Sequence, residues 1–116
     1  MEFDRYTVVL LLLREDAPGL DGPALAALQD AHLAHLARLH ETGDLLAAGP
    51  SPGRGDRKLR GFCIFRVDPD RARELEAEDP AVLAGRFVIE AYPWMVPRGA
   101  MHFTPTRSLR SAAEAG

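Results

Sequence analysis

The sequence predicts an α+β fold of order βαββαβ, an antiparallel four-stranded sheet with two helices on one face. Three observations carry that prediction. Apolar runs of strand length alternate with helical segments, two Asp-Pro pairs mark helix starts, and the long stretch with helical periodicity ends on glycine.

The first strand is residues 6–13, a continuous apolar run with charge at both ends. Its length suits a strand buried on both faces better than a helix. Pro18, Gly19 and Gly22 break the following loop. Pro23 then opens a helix over 23–42, where its missing N–H costs nothing and its φ is already helical. Leu25, Leu28, His32, His35, Leu36 and Leu39 recur at steps of three and four and predict one buried stripe. Gly43 supplies the left-handed residue that ends the helix.

A short second strand is expected at 45–48, a turn-rich loop at 49–57 and a third strand at 59–67. Asp68 caps the second helix, Pro69 takes its first position, Ala72 and Leu75 point inward, and the helix ends near Glu78. Asp79-Pro80 repeats the signal and starts one more helical turn, closed by Gly85 before a fourth strand at 87–95. Tyr92 and Trp94 in that strand read as packing residues. The chain divides into a domain over 1–95 and an extension over 96–116, expected to be partly mobile or draped on a neighbour.

At 116 residues the chain is one domain. Its net charge of −3, with Arg scattered along the chain and Lys58 the sole lysine, offers no basic field for a phosphate backbone, so no nucleic-acid partner is expected. Residues 8–13 are too few to cross a bilayer and lack the flanks of a secretion signal, so no membrane partner is expected. The single cysteine, Cys63, lies in an apolar run and reads as a buried, inert thiol in a cytoplasmic protein. The sheet raises a physical problem. Two helices cover one face, yet residues 6–13 are apolar on both alternating sets and Phe62, Ile64, Val88 and Ile89 add to the excess. The simplest cover for the second face is the same sheet from another copy, which predicts a homodimer.

His32 stands on the apolar stripe where a leucine would fit; it is either a core histidine bonded to a carbonyl or an acid–base group. Asp79 before proline is a routine helix cap, and its second oxygen is free to bond an imidazole as well. A metal held by His32 and His35 with His40 or Glu41 is not expected, because the later pair lies about two turns away and no HExxH or CxxC spacing is present. His40 reads as a cation near a helix C-terminus. The Gly53-Arg54-Gly55-Asp56 loop contains an Arg-Gly-Asp triplet that a turn-rich loop yields by chance; the loop with Lys58 and Arg60 could hold an anion but reads first as a solvated charge run. No phosphate-binding or dinucleotide glycine motif is present, and no cofactor is expected.

Taken in order, His32-Leu33-Ala34-His35-Leu36-Ala37-Arg38-Leu39, Gly43-Asp44-Leu45-Leu46-Ala47-Ala48-Gly49-Pro50, Arg60-Gly61 and Asp79-Pro80 with Ala84-Gly85 resemble the YciI-like (YCII-related) family, over roughly residues 6–95. The resemblance implies a ferredoxin-like fold forming a dimeric α+β barrel, and a His–Asp site that falls on His32 and Asp79. It also implies a small-molecule substrate, bound with Gly49, Pro50, Arg60 and Gly61. Some members resemble muconolactone isomerases and one branch acts as a dehydrochlorinase on chlorinated hydroxyquinols. The implied activity is therefore a cofactor-free lyase or isomerase acting on a small cyclic or aromatic substrate. A non-catalytic, small-ligand-binding or accessory dimer is the alternative, and a cofactor-independent oxygenase rests on fold analogy alone. Family members often carry an aromatic residue where this chain has Ala81, which implies a more open pocket wall.

Overall fold

The computed structural model describes residues 1–52, 58–104 and 110–115. It places β1 at Phe3–Leu13, α1 at Gly22–Glu41, β2 at Leu45–Pro50, β3 at Leu59–Phe65, α2 at Pro69–Ala77, α3 at Pro80–Leu83 and β4 at Phe87–Pro97, with a 3₁₀ turn at Ala112–Ala115. The four strands form one sheet in the order β2-β3-β1-β4, and each neighbouring pair is antiparallel.

β1 and β4 pair without interruption from Phe3↔Pro97 to Leu13↔Phe87. Each strand therefore lengthens the other, and β4 continues two residues past the expected end at residue 95. β3 stops at Phe65 because the chain there turns into α2. The Arg66 N–H donates to Asp44 O at 2.8 Å, and the buried Thr7 hydroxyl donates to Val67 O at 2.7 Å.

Each α-helix starts on an aspartate cap; the sequence predicts those at Asp68 and Asp79, and Asp21 adds a third. Asp21 accepts from the Ala24 N–H and Asp68 from the Arg71 N–H, each with proline at the start of its helix. The turn after Asp79 is a separate element, so three helices rather than two cover the sheet. Gly43 and Gly85 take φ of 86° and 78° where α1 and α3 end, a conformation that costs other residues free energy.

The core lies between the helices and the odd-numbered side of β1, where Val9 and Leu11 meet Leu36, Leu39, Leu45, Phe65, Leu75 and Phe87. The α1 stripe is shorter than expected: Leu25 is exposed and Leu28 half-buried, while His32, His35, Leu36, Ala37 and Leu39 are buried. Only the C-terminal half of α1 packs over α3 and β2; the first two turns overhang. Tyr92 and Trp94 are 49% and 37% exposed and line the opposite face rather than the core. Within the extension, Ala112 N–H donates to Asp30 Oδ1 at 2.9 Å and Arg110 pairs with Glu41, so residues 110–115 pack on this chain's own α1.

Candidate active site

His32 and Asp79 lie 47 residues apart in the chain. Helix α1 carries the imidazole inward on its buried stripe, and the cap of α3 carries the carboxylate. They meet inside the protein: His32 Nδ1–H donates to Asp79 Oδ2 at 2.6 Å. Asp79 Oδ1 accepts the Ala81 N–H at 2.9 Å, so the carboxylate caps its helix with one oxygen and orients the histidine with the other. Asp79 is fully buried and His32 nearly so. The Phe87 ring packs edge-on against the imidazole at 5.8 Å between centroids. This fixes ring orientation and tautomer together, because a proton held on Nδ1 leaves Nε2 with its lone pair. Nε2 has no hydrogen-bond partner among the described residues, and His32 lines a cavity.

That cavity has a volume of about 590 Å³, within the roughly 300–1,000 Å³ range of small-molecule sites. Gly49, Pro50, Arg60 and Gly61 all line its wall, as does Cys63. Arg60 thus borders the cavity rather than belonging only to a solvated charge run. Ala81 is buried and is not among the lining residues, so the missing aromatic at that position does not open this wall. The Arg-Gly-Asp triplet lies outside the described residues.

The remaining histidines have other work. His35 Nε2–H donates to Leu75 O at 3.0 Å in the core, and His40 Nδ1–H donates to Leu45 O at 3.1 Å. His40 therefore ties α1 to the start of β2 instead of serving only as a cation at the helix end. Among the described residues no group of three His, Cys, Asp or Glu side chains could hold a metal ion, and no helix is long and apolar enough to cross a membrane.

Two charged residues escaped the sequence reading. Glu76 on α2 is fully buried and neither carboxyl oxygen has a hydrogen-bond partner. Burial, and then the neighbouring Asp79 charge, push its carboxyl up to about 8. The same two carboxylates, after burial, push the Cys63 thiol well above its ordinary value, which makes it a poor nucleophile. A signal for Glu76 existed: with Ala72 and Leu75 it completes a three-and-four spacing on α2. Arg86, between Gly85 and β4, also lines the cavity and carries no periodic signal at all.

Among solved structures the fold is similar to that of a 5-chloro-2-hydroxyhydroquinone dehydrochlorinase from Burkholderia phenoliruptrix, in complex with 2,5-dihydroxybenzoquinone. The two share a TM-score of 0.55 and 22% sequence identity, over 77% of this chain and 92% of that one. No curated protein matches the sequence. Residues 8–95 match the model of the YCII-related domain, a span that takes in His32, Asp79 and all but the ends of the sheet. The chain belongs to the YCII-related family.

Proposed function

We propose that the protein is a cofactor-free lyase or isomerase that moves a proton on a small cyclic or aromatic substrate. The observation that carries the proposal is the 2.6 Å contact between His32 and Asp79 beside a cavity large enough for one ring. Nε2 of His32 is the base. It takes a proton from the substrate, and the electron pair left behind forms a new double bond. In an elimination a leaving group such as chloride departs with its own bonding pair from the adjacent position; in an isomerisation the imidazolium returns the proton to another carbon. Asp79 faces the imidazolium throughout and offsets its charge. Gly49, Pro50, Arg60 and Gly61 form the substrate wall in this reading.

The dehydrochlorinase of similar fold, crystallised with a dihydroxyquinone, suggests chlorinated hydroxyquinols as the first compounds to try, with lactones and catechols next. Turnover by the wild-type chain that falls by about 10²–10⁴-fold in His32→Ala is the expected result, the usual scale for one positioned acid–base group. No turnover and no ligand-induced thermal shift across those compounds would favour a binding or accessory protein instead. The working unit in this proposal is a homodimer packed through the open sheet face, and a cytoplasmic setting agrees with the buried, unpaired Cys63 thiol.

A further inference from the structure

Helix α1 borders the cavity through Gln29, His32, Leu33, Leu36 and His40, spaced by three and four residues along one side of the helix. A segment from the far end of the chain meets the same helix. Ala112, which begins the 3₁₀ turn at Ala112–Ala115, also lines the cavity. Ala112 and Gln29 are exposed as well as lining, which puts them at the rim rather than the floor.

Two contacts with α1 hold the segment there. Asp30 Oδ1 accepts the Ala112 N–H at 2.9 Å, and Glu41 pairs with the Arg110 guanidinium. The first N–H groups of a helical turn find no partner within it, so Asp30 meets a need the turn itself cannot. Asp30 and Glu41 are separated by about three whole turns of α1, so both stand on one flank of the helix. Each directly follows a lining residue, Gln29 and His40, so the anchored flank adjoins the cavity side. The segment is also closed on itself: the Arg110 N–H donates to Glu114 Oε2 at 2.9 Å, and the Glu114 N–H to Ser111 O at 3.2 Å. It lies against α1 as a preformed turn. An exposed ion pair and one exposed hydrogen bond are weak anchors, so this turn can part from α1 while the core stays packed.

We propose that residues 110–115 form an outer wall of the cavity, and that Ala112 limits the size of the molecule that can reach His32. This goes beyond the reaction proposed above, because it concerns the route to the imidazole whatever chemistry follows. Diethyl pyrocarbonate, a small reagent that acylates unprotonated imidazole, tests it on the full chain, with the label located by tandem mass spectrometry. The exposed His102 serves as the internal reference. Asp30→Ala combined with Glu41→Gln should raise the His32 rate relative to His102 by about fivefold, the scale of one lost hydrogen bond. Asp30→Asn, whose side-chain carbonyl still accepts the Ala112 N–H, should leave the rate unchanged. Ala112→Trp should lower it by filling the rim. All three positions are exposed, and if the double variant does not fold, Ala112→Trp carries the test. His35 reports on the helix itself: it is buried on α1 and bonded to Leu75 O, so its rate should not move. No substrate or turnover enters, so a failed proton-transfer reading would leave this result standing, and the reverse also holds. A His32 rate that stays the same in every foldable variant, or that rises only together with His35, would overturn the proposal.

Discussion

Asp79 does two things with two oxygens, and an amide cannot do both. In Asp79→Asn the side-chain carbonyl can still accept the Ala81 N–H, which preserves the cap, but the NH₂ group then faces His32 Nδ1 as a donor. The imidazole must answer by accepting on Nδ1 and carrying its proton on Nε2, the nitrogen that the proposed reaction uses as its base. The expected outcome is a folded variant whose tautomer has switched, read by ¹⁵N NMR of the His32 ring, with turnover down by about 10²–10⁴-fold. An unchanged tautomer would show that the carboxylate does not set it. Glu76 makes the second residue-scale expectation. Its folded value of about 8 lies above the ordinary 4.5, so between those values the folded protein holds a proton that the unfolded chain has released. Stability then falls as pH rises from about 5 to 8, by at most about 1.4 kcal/mol per pH unit from this group. Denaturant melts of wild type and Glu76→Gln should converge near pH 5 and separate by pH 8, with the variant the flatter of the two. Parallel pH profiles would rule out Glu76 as the source. The contrast among these residues explains what a sequence can disclose. His32 stood out because it interrupts a leucine stripe, and Asp79 because a proline follows it. Arg86 has neither pattern nor spacing, and only folding brings it to the cavity.

At the scale of elements, the cavity wall depends on how closely β2 and β3 approach. A Cβ added at Gly61 would sit 2.7 Å from Gly49 O and 3.3 Å from Pro50 Cα, both backbone atoms that cannot rotate away. Gly61→Ala should therefore push the β2 edge outward, at a cost of about 1–3 kcal/mol, typical of overpacking. Thermal melts check the stability, and a loss of ligand binding exceeding the loss of fold would place the same backbone in the substrate wall. Gly49→Ala is the control for stability alone, since nothing lies within 4 Å of the Cβ it would add. Element boundaries were legible where side chains announce them: both Asp-Pro starts and the Gly43 and Gly85 stops sit as read. The overhang of α1 was not legible, because Leu25 and Leu28 carry the same periodicity as the buried stripe. Periodicity says which side of a helix is apolar; it does not say where the sheet beneath runs out. The bulge between Leu11 and Leu12, which shifts the pairing with β3 so that Leu12 faces Leu59, is likewise a matter of register that no residue type marks.

For the whole molecule, the decisive feature is the sheet face that none of the described helices covers. Val8, Leu10 and Leu12 on β1 stand beside Phe62 and Ile64 on β3 and Val88 and Tyr92 on β4, as the strand registers require. Phe62, Val88 and Tyr92 are 46%, 44% and 49% exposed in the single chain, whereas the opposite face of β1 holds the fully buried Thr7 and Val9. Glu90 stands in the same row opposite Leu10 and accepts from the Tyr92 hydroxyl; the largely apolar surface around it is a free-energy cost in water that a second copy of the same sheet would remove symmetrically. The expectation is a dimer by sedimentation at micromolar concentration. Val88→Asp tests the face rather than the fold, because Val88 is exposed and lies outside the cavity lining. It should convert the dimer to a folded monomer with unchanged circular dichroism, since a buried, unpaired carboxylate at a symmetric contact is opposed by its own copy across the interface. A wild-type chain that sediments as a monomer would remove the dimer from the proposal, and a Val88→Asp dimer of undiminished stability would move the interface to another surface.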